Sequence, residues 1–214
     1  MAINYTVQAE VVDISADTPR AEDAFLVDTN VWYWLTYSRA SQSARPPAYY
    51  QISNYPNYTN SALGAGARIF QSGLSLAELT HLIEKAEYEI FAQANPAIFP
   101  NPNKFDKNFR HDRTYERRQA ISEIEAAWAQ VASLAEPLTV TIDSPTATAA
   151  LNRLQTEKVD GYDLFILESM RSHGVVQVIT DDGDFATVPG IQVFTANRNV
   201  IHAASRQGKL FHRE

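Results

Sequence analysis

The sequence predicts an α/β fold, a mainly parallel sheet with helices on both faces. Three observations carry that expectation. Strand-like and helix-like stretches alternate from Leu138 onward, as in repeated βα units. The runs Phe25-Leu26-Val27 and Val175-Val176-Gln177-Val178-Ile179 are almost continuously apolar, as strands covered on both faces require. Aspartates follow both runs, and ligands in open α/β sheets bind beyond the carboxyl ends of the strands.

Taken in order, residues 1–24 are polar, with one alternating stretch from Tyr5 to Val11 that predicts an arm or an edge strand. Residues 25–28 predict a short buried strand, and Asp28 or Thr29 caps a helix through Trp32, Trp34 and Leu35. Residues 41–66 predict an irregular insertion, because Pro46, Pro47, Asn54, Pro56, Asn57, Asn60, Gly64 and Gly66 punctuate it. A helix starts near Ser75, with Leu79, Ile83, Ala86 and Ile90 at helical spacing. Residues 95–112 predict a second loop, and a long helix follows from about Tyr115 to Ala135 with a stripe of Ile121, Ile124, Trp128 and Val131. Leu138–Ile142 predicts a strand, and Ser144-Pro145 opens a helix as cap then proline. Asp163–His173 predicts a helix closed by Gly174. Strands are expected at 175–179 and 191–194.

The bulk properties narrow the function classes. The 214 residues suit one generous domain, and 45% hydrophobic residues argue for a packed core. No 18-residue apolar run and no signal-peptide pattern is present, so the expectation is a soluble cytoplasmic protein without a membrane partner. The absence of cysteine excludes disulfides, thiolate metal sites and a cysteine nucleophile. A net charge of −7 opposes non-specific nucleic-acid binding by the chain as a whole but leaves room for a local basic patch.

Four acids stand beside apolar runs, where an unpaired carboxylate is costly. Asp28 ends a strand and could serve as an Asx-turn or helix cap. Glu78 could close a capping box with Ser75. Asp163 shares a helical face with Ile166, Leu167 and Met170, so it needs a partner beyond the helix dipole. Asp181, Asp182 and Asp184 crowd a strand exit, and charges ~4 Å apart repel by roughly 4 kcal/mol at an effective dielectric of 20. Two of these positions end strands and two open helices, and in a parallel sheet all four face one edge. Carboxylates are hard ligands that select Mg²⁺ or Mn²⁺, and paired ions of this kind serve phosphoryl transfer.

With those residues in view, the chain resembles the PIN-domain nucleases, including the VapC-type toxins. The resemblance lies in Leu26-Val27-Asp28-Thr29-Asn30-Val31, Leu74-Ser75-Leu76-Ala77-Glu78-Leu79, Asp163-Leu164-Phe165-Ile166-Leu167 and Ile179-Thr180-Asp181-Asp182-Gly183-Asp184-Phe185. It implies a three-layer α/β/α sandwich over residues 25–200, with insertions at about 37–73 and 95–114, an arm or edge strand at 1–24 and a tail at 201–214. It also implies Mg²⁺- or Mn²⁺-dependent cleavage of single-stranded RNA. Asp28, Glu78, Asp163 and Asp182 would be the metal-binding catalytic acids, Asp184 a supporting ligand, and Thr29, Asn30 and Thr180 the residues that orient them. The biological role it implies is the toxin of a type II toxin–antitoxin pair, with a separate antitoxin chain as partner, and dimers are common in the family. Both insertions depart from the short toxins.

Residues 104–118 are the most basic stretch, with Lys104, Lys107, Arg110, Arg113 and Arg117 as candidate RNA contacts or as a solvated face. Tyrosines 49, 50, 55 and 58 either stack on bases or pin their loop to the body. No dinucleotide fingerprint, phosphate-binding loop or serine-hydrolase elbow is present. A non-catalytic RNA- or protein-binding scaffold is the alternative to the nuclease. A related phosphatase is disfavoured because Asp28-x-Asn30 lacks a second aspartate.

Overall fold

The computed structural model describes residues 4–213. Its strands are β1 (Glu10–Asp13), β2 (Ala24–Val27), β3 (Arg68–Ser72), β4 (Glu136–Leu138), β5 (Gln177–Ile179) and β6 (Gln192–Thr195). They form one sheet in the order β1-β6-β5-β2-β3-β4. Every pairing is parallel. The helices are α1 (Thr29–Thr36), α2 (Tyr49–Ala65), α3 (Leu74–Ala94), α4 (Lys107–Asp112), α5 (Thr114–Leu134), α6 (Ser144–Thr156), α7 (Asp163–His173) and α8 (Arg198–Arg206).

Successive strand residues point to opposite faces, and the two cores divide accordingly. Leu26, Phe70, Val178 and Val193 meet residues of α6, α7 and α8 on one face. Phe25, Val27, Ile69, Ile179 and Phe194 meet residues of α1, α2, α3 and α5 on the other. The result is a three-layer α/β/α sandwich. A smaller aromatic cluster of Tyr88, Phe99 and Phe109 lies under the segment after α3.

The strand order reverses between β2 and its neighbour β5. From β2 the chain proceeds outward through β3 and β4, whereas β5 leads through β6 to the other edge. This switch point leaves a crevice at the carboxyl ends of β2 and β5, where ligands bind in open α/β sheets.

Several local expectations differ from the structure. Residues 41–66 are not irregular: a 3₁₀ turn at Ala40–Gln42 precedes the 17-residue helix α2, which contains Pro56. Burial of Tyr55, Tyr58, Thr59 and Ala62 at helical spacing outweighs the poor helix propensity of asparagine and proline. The segment 95–112 likewise holds α4, capped by Asp106. Strand β4 ends at Leu138, and Ile142 is 56% exposed. Asp143, not Ser144, caps α6, accepting from the Thr146 N–H at 2.9 Å. Helix α7 ends on Gly174 at φ 67°, a left-handed position suited to glycine.

Both flanks of the sheet are built in. β1 pairs with β6, and α8 runs through residue 200. The Arg213 guanidinium binds Asp17 and Asp23, and the Asp23 contact is 2.5 Å.

Candidate active site

Asp28 follows β2 directly and caps α1. Its Oδ1 accepts from the Thr29 N–H at 2.6 Å, and its Oδ2 accepts from the Thr180 hydroxyl at 2.7 Å. Its own N–H donates to the Ile179 carbonyl at 3.1 Å. Thus the first residue after β2 is tied to the last residue of β5 and the one following it. Asp28 is 4% exposed. Burial is the largest cause that pushes its carboxyl up to about 7; the Thr180 hydrogen bond opposes that rise, and the charges of Glu78 and Asp182 add to it.

Asp163 is the first residue of α7, and its N–H donates to the Asp160 carbonyl. Burial first, then the charges of Asp28, Asp182, Glu78 and Asp160, push its carboxyl up to about 9. Asp182 caps the 3₁₀ turn Gly183–Thr187: its N–H donates to the Thr180 hydroxyl and its Oδ1 accepts from the Asp184 N–H at 2.8 Å. Both Asp182 and Asp184 titrate above the usual range, chiefly through burial and then through neighbouring acids.

Glu78 lies in the second turn of α3. The capping box with Ser75 does not form, because the helix begins earlier, with Gly73 at the cap and no side-chain cap bond. The Glu78 Oε2 is buried and has no hydrogen-bond partner. A buried unsatisfied carboxylate oxygen is unusual, and its charge reaches both Asp28 and Asp163.

The structure therefore brings Asp28, Glu78, Asp163 and Asp182 into one electrostatic neighbourhood. None of them enters the ion pairs formed among the described residues. Yet no three histidine, aspartate or glutamate side chains among the described residues are gathered tightly enough to hold an ion as they stand. The charges of Glu78 and Asp182 raise both Asp28 and Asp163, and that of Asp28 raises Asp163, without the side chains meeting at a point. Hard oxygen donors without cationic partners, including one orphaned and buried, fit a divalent cation; drawing them onto one requires side-chain movement.

Sequence reasoning missed Asp160. It is exposed, and its charge acts on Asp163, Asp182 and Asp184. The signal available was its place one helical turn ahead of Asp163. Asp181 has a different task. Its carboxylate accepts from Gln51 Nε2 and the Tyr55 hydroxyl at 2.6 Å each, and from the Tyr50 hydroxyl at 3.2 Å. Tyr50 and Tyr55 thus pin α2 to the loop beside the acids. Tyr55 and Tyr58 are core residues, whereas Tyr49 is 82% exposed. Thr29 is buried with an unpartnered hydroxyl, and Asn30 is half-buried on α1.

The basic candidates are not gathered with the acids. Arg110 forks onto Glu84, and Arg113 lies over the rings of Phe91 and Phe99. Lys104 and Lys107 line a cavity of about 410 Å³ with Tyr88, Phe99 and Phe105. Tyr88 is ten residues beyond Glu78 on α3, hence about 15 Å along the helix axis. Arg117 is exposed on α5.

The family model for the PIN domain matches residues 25–191. The chain belongs to the PIN-domain family. No curated protein matches it, and no solved structure does. PIN domains are in general metal-dependent nucleases, so membership points to nuclease-like chemistry on nucleic acid with divalent ions. No helix among the described residues is long and apolar enough to cross a membrane.

Proposed function

We propose that this chain is a Mg²⁺- or Mn²⁺-dependent endoribonuclease that cleaves single-stranded RNA, of the kind that serves as the toxin of a type II toxin–antitoxin pair. The observation that carries the proposal is the elevation of both Asp28 and Asp163 at the switch point, where the charges of Glu78 and Asp182 add to burial at each, Asp28 further raises Asp163, and no cation among the described residues pairs with them. Such an arrangement destabilises a protein unless a positive charge is bound there.

In this reading Asp28, Glu78, Asp163 and Asp182 hold the metal and Asp184 assists. Divalent ions in such a site supply Lewis-acid activation of water and neutralise charge on the phosphodiester. Thr180 fixes the orientation of Asp28, whose other oxygen is held by the Thr29 N–H. Asn30 follows on the first turn of α1 and completes that support. The nuclease unit is residues 25–200; Lys104, Lys107, Arg110, Arg113 and Arg117 offer positive charge to the RNA backbone. The protein acts in the cytoplasm, as a homodimer, and an antitoxin chain covers the acidic crevice.

A second reading is a non-catalytic PIN-like scaffold for RNA or protein, favoured by the lack of a gathered ligand set among the described residues. One experiment separates the two. Labelled single-stranded RNA of mixed sequence is incubated with wild type, Asp28→Asn and Asp163→Asn, in Mn²⁺, in Mg²⁺ and in EDTA. Cleavage by wild type alone, abolished by EDTA, supports the nuclease. RNA binding without cleavage by any form supports the scaffold. Co-expression with the product of the adjacent upstream gene tests the toxin role: relief of growth arrest is expected.

A further inference from the structure

The segment ahead of the family-matched region folds back onto the acidic loop. The Gln8 and Ala9 N–H groups both donate to the Ala186 carbonyl, at 2.8 and 3.1 Å. The Val7 N–H donates to Gln207 Oε1 at 3.0 Å, and Gln207 Nε2 donates to the Tyr5 carbonyl at 2.9 Å. Val7 and Ala9 are buried. Tyr5 is therefore held from two sides.

Its ring lies on Gly183, between Asp182 and Asp184. A Cβ built on Gly183 would overlap the ring carbons and stand 2.5 Å from the phenol oxygen. Only glycine permits this approach. The Tyr5 hydroxyl makes no hydrogen bond to any described residue, and the charges that reach it are those of Asp184, Asp182 and Asp181. It is thus a neutral, unengaged donor at the rim of an acid-lined site. A phosphodiester entering such a rim meets repulsion from the carboxylates and one O–H free to donate. Tyr5 lies outside residues 25–191, which carry the family match.

We propose that the Tyr5 hydroxyl is a substrate-contacting group that donates a hydrogen bond to a non-bridging phosphate oxygen of the bound RNA. The inference rests on the nuclease reading above. A hydrogen bond to a charged acceptor corresponds to roughly a tenfold or greater effect on kcat/KM.

The test is Tyr5→Phe, which keeps the ring on Gly183 and removes only the hydroxyl. Three quantities are measured: kcat and KM on labelled single-stranded RNA, Mn²⁺ affinity, and RNA affinity by fluorescence anisotropy in the Asp163→Asn background. The expected result is a loss in kcat/KM of about tenfold or more, weaker RNA binding, and unchanged Mn²⁺ affinity and melting temperature. Activity and RNA affinity within about twofold of the parent would overturn it. So would a loss accompanied by weakened Mn²⁺ binding, which would make Tyr5 a support for the acids. Wild type that binds RNA without cleaving it would sink the nuclease reading, and the anisotropy comparison would still decide whether Tyr5 touches the RNA.

Discussion

Asp28→Asn should stabilise the metal-free protein while abolishing its activity. The Asp28 carboxyl rises from an ordinary 3.8 to about 7. Its folded-state pKa is raised, so the unfolded chain releases its proton first. The cost to the fold grows as pH climbs from about 4 to about 7 and is complete above that. At roughly 1.4 kcal/mol per pH unit this reaches about 4 kcal/mol at pH 8 and about 1.5 kcal/mol at pH 5. Asparagine is nearly isosteric. Its oxygen can keep the Thr29 N–H bond, but its amide cannot accept from the Thr180 hydroxyl, a loss of about 1–2 kcal/mol. The net expectation is a gain of about 2 kcal/mol at pH 8 in EDTA and near zero at pH 5. Urea denaturation of wild type and variant at both pH values measures it. A variant less stable than wild type at pH 8 would mean that Asp28 is simply a helix cap, and the electrostatic reasoning would be refuted.

Other perturbations follow from the same contacts. Metal-free wild type should lose stability between about pH 4 and pH 9 through Asp28 and Asp163, whose carboxyls are raised to about 7 and about 9. Added Mn²⁺ should therefore raise the melting temperature more at pH 8 than at pH 5, as differential scanning fluorimetry would show. Tyr55→Phe removes the donor to Asp181 and the acceptor of the buried Ala196 N–H. A loss of about 2–4 kcal/mol is expected by chemical denaturation; a loss under about 0.5 kcal/mol would show that α2 is not pinned there. Arg213→Met strands the buried carboxylates of Asp17 and Asp23 and should cost about 3 kcal/mol.

The fold was legible where periodicity and caps agreed. The run at 25–27, the helix α7 with its terminal Gly174, and the stripe Leu79–Ile83–Ala86 on α3 lie where the pattern placed them, whereas the strand expected at 175–179 begins only at Gln177, with Val176 47% exposed. Helix α2 was hidden because Pro56 and three asparagines argue locally for a turn, whereas burial of Tyr55, Tyr58 and Ala62 decides the matter. That burial was present as an i, i+3, i+7 spacing. The four acids were legible because carboxylates beside apolar runs are rare without purpose. What local sequence could not show is which of them already have partners. Ser75 and Glu78 look like a capping box, yet a start at Leu74 leaves Glu78 Oε2 unpaired. Tyr5 joins the site only through tertiary placement, from beyond the matched region.

The most direct measurement is a titration of metal-free protein with Mn²⁺, followed by electron paramagnetic resonance of the free ion. Saturable binding that disappears in both Asp28→Asn and Asp163→Asn is predicted. Wild type that binds no Mn²⁺ at pH 8, or binding untouched by either substitution, would contradict a shared cation site at the β2–β5 crevice.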